Sequence, residues 1–244
     1  MLAFKVEQNN KGRNSILRSN SKIKRIKGGL KMAEERNQYQ ITRKDAKNCF
    51  VESLSDSFEI GKIHFVFATY DTSKPVGQRQ ISNIPIYITV DEFLELHRKV
   101  ACGELWYIMQ NKKKNADSTP LYQSLGGTSA ERLAKQQRSR SDGMSQSRIV
   151  QLVCGSKVDF LLVAESGPGA TNDKGLIVPK FGNKPENRVA VGMTFETFAE
   201  LILTTYIHYS AWLSSFYIRK AIVDAKKKPN GSVEVPFKND ELPF

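Results

Sequence analysis

Ile84-Pro-Ile-Tyr-Ile-Thr-Val-Asp-Glu-Phe-Leu-Glu-Leu96 and Val189-Ala-Val-Gly-Met-Thr-Phe-Glu-Thr-Phe-Ala-Glu-Leu201 align with each other without a gap. Each begins with three alternate apolar residues, Ile84, Ile86 and Ile88 in the first and Val189, Val191 and Met193 in the second. A period of two predicts a strand with one buried face. A threonine follows, Thr89 or Thr194, and then an acid in the next turn. That combination is a helix N-cap with a charge that suits the helix dipole. Thr89 and Glu92 have the spacing of a capping box. Phe93 and Leu96, like Phe198 and Leu201, then open an apolar helical face. Both segments therefore read as strand, tight cap and amphipathic helix, and the shared Phe-x-Glu-Leu favours a duplication.

Further strands are expected upstream of each segment. Before the second lie Arg148–Cys154, Lys157–Glu165 and Leu176–Phe181, which with Arg188–Met193 make four strands before a helix from Phe195 to about Ala225. Gly155-Ser156 reads as a tight hairpin, Ser166–Gly175 as a long hairpin loop and Gly182–Pro185 as a short one. Before the first segment, Gly61–Asp71 is a clear strand and Gln38–Lys44 a weaker one, and Trp106–Gln110 reads as a further strand. Lys112–Ser147 between the copies is polar, basic and loop-like, with a short helix at Ser129–Gln137 capped by Thr128 and Glu131. The expected class is α+β: two pseudo-repeats of antiparallel strands followed by a helix, occupying residues 38–225, with a basic N-terminal extension (1–37) and a short tail (226–244).

The extension lacks periodic apolar content and predicts disorder. Lys27-Gly28-Gly29 is encodable by a purine-rich ribosome-binding sequence, so translation is expected to start at Met32. Lys and Arg outnumber Asp and Glu by 37 to 25, a net charge of +12. That surplus favours polyanionic partners and leaves the fold undetermined. Three cysteines, Cys49, Cys102 and Cys154, and three histidines, His64, His97 and His208, are scattered. They argue against a disulfide framework or a metal site and fit a reducing cytoplasm. The most apolar stretch, Phe198–Ile218, carries Glu200 and His208 and reads as a buried helix rather than a membrane span.

The chain ends Asn239-Asp240-Glu241-Leu242-Pro243-Phe244. Acids followed by a terminal Leu-Pro-Phe resemble the tip of bacterial single-stranded DNA-binding protein, SSB. The resemblance implies that Asp240, Glu241, Leu242, Pro243 and Phe244 bind DNA-processing partners such as helicases, exonucleases and primosomal proteins. In that family the terminal ring fills an apolar pocket, its α-carboxylate meets a basic side chain, and the acids follow a basic rim. Only two acids stand here, preceded by Lys238 and Asn239, which weakens the rim contact. The rest of the chain lacks the five-strand pattern of the SSB barrel. Its order resembles the Whirly and PUR-type families and the positive-cofactor-four coactivator, which bind single strands on curved antiparallel sheets. It also resembles proteins carried by conjugative elements of Gram-positive bacteria, which implies a role in plasmid or conjugative DNA metabolism.

Single-strand binding needs cations for phosphates and flat faces for bases. Candidates are Lys62, Tyr70, Tyr87, Trp106, Tyr107, Lys112, Lys113, Lys114, Arg138, Arg140, Arg148, Lys180 and Arg188. Alternation places Lys62, His64 and Tyr70 on one face of their strand, opposite Ile63, Phe65 and Phe67, and sets Tyr87 opposite the three isoleucines. Catalytic patterns are poor. Asp159 and Glu165 lack the Lys of a restriction-type nuclease, and Ser166-Gly-Pro-Gly169 lacks the Lys-Ser/Thr of a P-loop. The expectation is a non-enzymatic, cofactor-free single-stranded DNA-binding protein with a recruiting tail, a homo-oligomer being an open question. A relaxosome accessory that binds duplex and a tethered nuclease are the competing readings.

Overall fold

In the computed structural model, which describes residues 37–227, the alternating segments pair as antiparallel strands. The 1–37 extension with its Met32 start, and the tip Asp240–Phe244, lie outside the described residues save for Asn37. β1 (Gln40–Ala46), β2 (Cys49–Leu54), β3 (Lys62–Tyr70) and β4 (Gln80–Thr89) form one sheet in sequence order. Pairing of β3 with β4 sets Ile63 against Ile88, Phe65 against Ile86 and Phe67 against Ile84. All six side chains are buried, so the period of two has done what it implies. The same register sets His64 directly against Tyr87 on the other face.

Thr89 then caps α1 (Val90–Ala101). Its hydroxyl accepts from Glu92 N at 3.2 Å, and the Glu92 carboxylate accepts from Thr89 N at 2.9 Å, closing the capping box. Phe93, Leu96 and Val100 form the buried face of α1. Gly103, with φ of 74°, turns the chain into α2 (Glu104–Lys114). Trp106–Gln110 is thus helical, correcting the strand expected there. Leu105 and Met109, four apart, are its buried residues, and Lys112, Lys113 and Lys114 fall in the last turn, where cations suit the helix dipole.

A second antiparallel sheet holds β5 (Tyr122–Thr128), β6 (Ser145–Cys154), β7 (Phe160–Thr171), β8 (Ile177–Pro179) and β9 (Asn187–Met193). β9 pairs with the first part of β7 and β8 with its end. The segment 112–147 is therefore not loop-like: it holds the end of α2, all of β5, α3 (Ala130–Lys135) and the start of β6. Gly126 and Gly127 hid β5, because strands are read from side-chain alternation. At Gly127 a Cβ would collide with the Gln146 carbonyl, so this position accepts no side chain. The cap of α3 is Ser129, whose hydroxyl accepts from Arg132 N at 3.3 Å, not Thr128. Ser166-Gly-Pro-Gly169 belongs to β7 and is no hairpin tip. A Cβ at Gly167 would lie 2.7 Å from the Phe181 ring, so neighbouring side chains fill the glycine spaces.

α4 (Phe195–Lys227) follows β9. Thr194 Oγ1 accepts from Thr197 N at 3.3 Å. Phe198, Leu201 and Ile202 are buried, and Thr205 bridges to β2 through Ser53 Oγ at 2.7 Å. One apolar core draws on both sheets and on α1, α2 and α4: Phe65 and Ile86 share it with Leu152, Leu162, Val191 and Phe198. The architecture is α+β, two antiparallel sheets with helices.

Candidate nucleic-acid interface

A groove of about 790 Å³ is lined from both sheets. Lys62, Pro85, Tyr87 and the turn at Asp56–Ser57 come from the first. Ser124–Thr128 of β5, Arg148 of β6 and Arg132 and Gln136 around α3 come from the second, with Arg138 just beyond. Of the thirteen residues the sequence nominates, four meet here: Lys62, Tyr87, Arg138 and Arg148.

Tyr87 owes its position to strand register. Facing His64 across the β3–β4 pair, its ring stacks on the imidazole at 4.2 Å between centroids and 18° between planes. Tyr87 remains 45% exposed, so it presents a backed aromatic side chain to the groove. His64 is itself buried, and its Nδ1 lies 2.9 Å from Asp56 Oδ1. Burial pulls the imidazole below its ordinary pKa against the opposing pull of Asp56. At neutral pH the pair is therefore a neutral imidazole donating Nδ1–H to a carboxylate, not an ion pair, which leaves Nε2 without a partner. Burial, then the Asp56 charge, pushes the Tyr87 phenol up, so the ring is neutral.

Arg148 is the most distinctive cation. Its guanidinium donates to Thr128 Oγ1 at 3.0 Å, and among the described residues no carboxylate lies within ion-pair distance. Burial lowers its pKa from the ordinary value without bringing it near neutrality. A half-buried charge without a counter-ion is costly, and an external anion relieves that cost. Lys62, Arg132 and Arg138 add three more cations to the lining, none of them matched to a carboxylate among the described residues. The two lining acids are already engaged: Asp56 holds His64, and Glu92 holds the Thr89 cap and accepts from Ser124 Oγ at 3.2 Å. The groove thus offers four cations and a stacking surface against two occupied carboxylates.

The other nominated residues lie elsewhere. Arg140 is clamped by Asp142 at 2.7 Å and Glu186 at 2.6 Å, a structural pairing. Arg188 reaches Glu165 at 3.0 Å and borders, with half-buried Tyr70, a separate hollow of about 340 Å³. On α2, Trp106 packs edge-on against Phe195 and Tyr107 is exposed. Lys112 is bound to Asp117 and Thr119, Lys113 lies 3.7 Å from Asp159, and Lys114 and Lys180 stand exposed. His64 is visible in the sequence as a strand-face residue, and Arg132 falls within the Lys112–Ser147 segment that reads as basic. Nothing in the sequence signals Asp56 or Gln136, which reach the groove only through the turn and α3.

Among the described residues no three metal-capable side chains gather, no helix is long and apolar enough to cross a membrane, and all three cysteines are free. The chain matches no protein-family description, no curated protein and no solved structure.

Proposed function

We propose that this chain is a non-enzymatic single-stranded DNA-binding protein that seats its ligand in the groove between the two sheets and recruits DNA-processing partners through Asp240–Phe244. The observation that carries the reading is the pairing of Arg148, half-buried with no counter-ion among the described residues, with exposed Tyr87 in one groove. Phosphates answer the first need and unpaired bases the second. A duplex hides its bases in the stack and would leave Tyr87 unused. The reading extends to a duplication of Ile84–Leu96 and Val189–Leu201 and to a Whirly- or PUR-like fold; what supports it is two antiparallel sheets, each running through a capping threonine into a helix. The recruiting role rests on the terminal Leu-Pro-Phe alone, and a place in plasmid or conjugative DNA metabolism on the resemblance described above.

The test is fluorescence anisotropy with labelled oligothymidylate and with a duplex of equal length, across a salt series. The single strand should bind tighter than the duplex. Its affinity should fall with salt at a log–log slope of about −0.7 per phosphate neutralised. Equal affinity for duplex favours the accessory-factor reading, and a flat salt series rejects the cationic groove.

A further inference from the structure

Gly126, Gly127 and Gly175 all line the groove, and the fold accounts for two of them. Gly175 closes the β7–β8 turn with φ of 74°, its N–H donating to the Asn172 carbonyl at 2.9 Å. Gly127 leaves room for the Gln146 carbonyl. Gly126 meets neither need. Its backbone is not in the left-handed region, and a Cβ built there would have nothing within 4 Å. A glycine weakens a strand interior, and the close approach of a ligand is one of the reasons it stands in such a place.

The gap lies beside Arg148. Gly126 pairs directly with Arg148 in the β5–β6 ladder, so a side chain at 126 would stand next to Arg148 on the same face. Ser124 and Thr128 flank the gap on that face of β5. Arg148 donates to Thr128 Oγ1 at 3.0 Å, which brings its guanidinium to β5. The rest of its N–H groups have no partner among the described residues. Ser124 is already committed to Glu92. We infer that the gap over Gly126 seats an anionic group of the ligand against the Arg148 guanidinium. On the single-strand reading above, on which the ligand's identity rests, that group is a backbone phosphate, which a guanidinium fork matches in shape and charge. Gly126 contributes by having no side chain: the phosphate approaches β5 there and reaches a cation that the described residues leave without a counter-ion.

The test uses the full chain, labelled oligothymidylate and a salt series. Gly126→Val fills the gap with a side chain that suits a strand, so the melting temperature should hold or rise. Affinity should fall at least about tenfold, the worth of one charge-assisted contact, and the salt slope should fall by about 0.7. Gly126→Ala should lie between the parent and Gly126→Val, and it carries the comparison if the larger residue disturbs folding. Gln123→Val places the same side chain on the opposite, exposed face of β5 and should bind like the parent. Arg148→Met added to Gly126→Val should cost less than about twofold more, because both changes remove the same contact. Parent-like binding by Gly126→Val, or losses that multiply in the double variant, overturns the inference. If the parent itself binds no strand, the nucleic-acid reading fails and inorganic phosphate becomes the probe. A melting temperature that phosphate raises more in the parent than in Gly126→Val then upholds the seat, and an equal rise overturns it.

Discussion

Replacing Tyr87 with alanine isolates the stacking contribution of the groove. His64 covers one face of the ring, so a bound strand has one free face to use. Stacking of one base on an aromatic side chain is worth about 1–3 kcal/mol, or roughly 5- to 150-fold in affinity. Tyr87 is 45% exposed, so only one base gains a surface there, and a loss of ~10-fold is the central expectation. Tyr87→Phe keeps the ring and should bind within about twofold of the parent. Neither change removes a cation, so the salt slope should hold while the affinity falls. The assay is anisotropy of labelled oligothymidylate at fixed salt, with circular dichroism to check folding, since Tyr87→Ala also uncovers His64. If Tyr87→Ala binds as tightly as Tyr87→Phe, no base stacks on this ring and the groove reading loses its specificity for single strands.

Arg148→Met should lower the salt slope by about 0.7, one phosphate contact, and a slope unchanged from the parent would remove Arg148 from the interface. Deleting Leu242–Phe244 should abolish pull-down of host DNA-processing proteins while single-strand affinity stays the same or rises slightly; retained capture would make the tip coincidental. His64 and His97 both have pKa values held below 6.5 by burial, so the unfolded chain binds more protons. Stability should be full above pH ~6.5 and decline as pH falls through the lower folded values, and a melting temperature that is flat or rises from pH 7 to 5 would contradict that sign. A Ser147–Lys228 fragment should fail to form a cooperatively melting monomer, because its apolar faces share a single core with β3, β4 and α1; a well-behaved monomer would mean two independent domains.

The legible parts of the fold were those governed by short-range periodicity. Ile84–Leu96 became strand, capping box and helix, because alternation, the Thr89–Glu92 pair and the Phe93–Leu96 spacing all act within four residues. The failures have local causes too. At Gly126, Gly127, Gly167 and Gly169 the strands carry no side chain to alternate, and at the last three of these Gln146, Phe181 and Ile177 occupy the space a side chain would need. In α2 the run Trp106-Tyr107-Ile108 has strand-like composition, yet burial of Leu105 and Met109 on one helical face decided otherwise. For the site, residue type was readable and company was not. Arg140 and Arg148 stand eight positions apart in one basic segment, and only the fold gives one of them Asp142 and Glu186.

That sorting by partner bears on what the surplus charge can do. A cation already matched to a carboxylate at 2.6–3.0 Å gives little to an incoming phosphate, because its pairing must first be broken. On this ground Arg140, Arg188 and Lys112 are poor phosphate ligands despite their charge, and Lys113 is a weak one. Lys62, Arg138 and Arg148 have no such competitor among the described residues, and they meet in the groove that also holds Tyr87. The groove joins β3 and β4 to β6 and the α3 region, so its geometry depends on the core the two sheets share. A substitution deep in that core, such as at Phe160 or Phe198, should therefore loosen the spacing between Tyr87 and Arg148 before it unfolds the chain. Such a change would weaken stacking and phosphate contacts together, unlike Tyr87→Ala or Arg148→Met, which separate them.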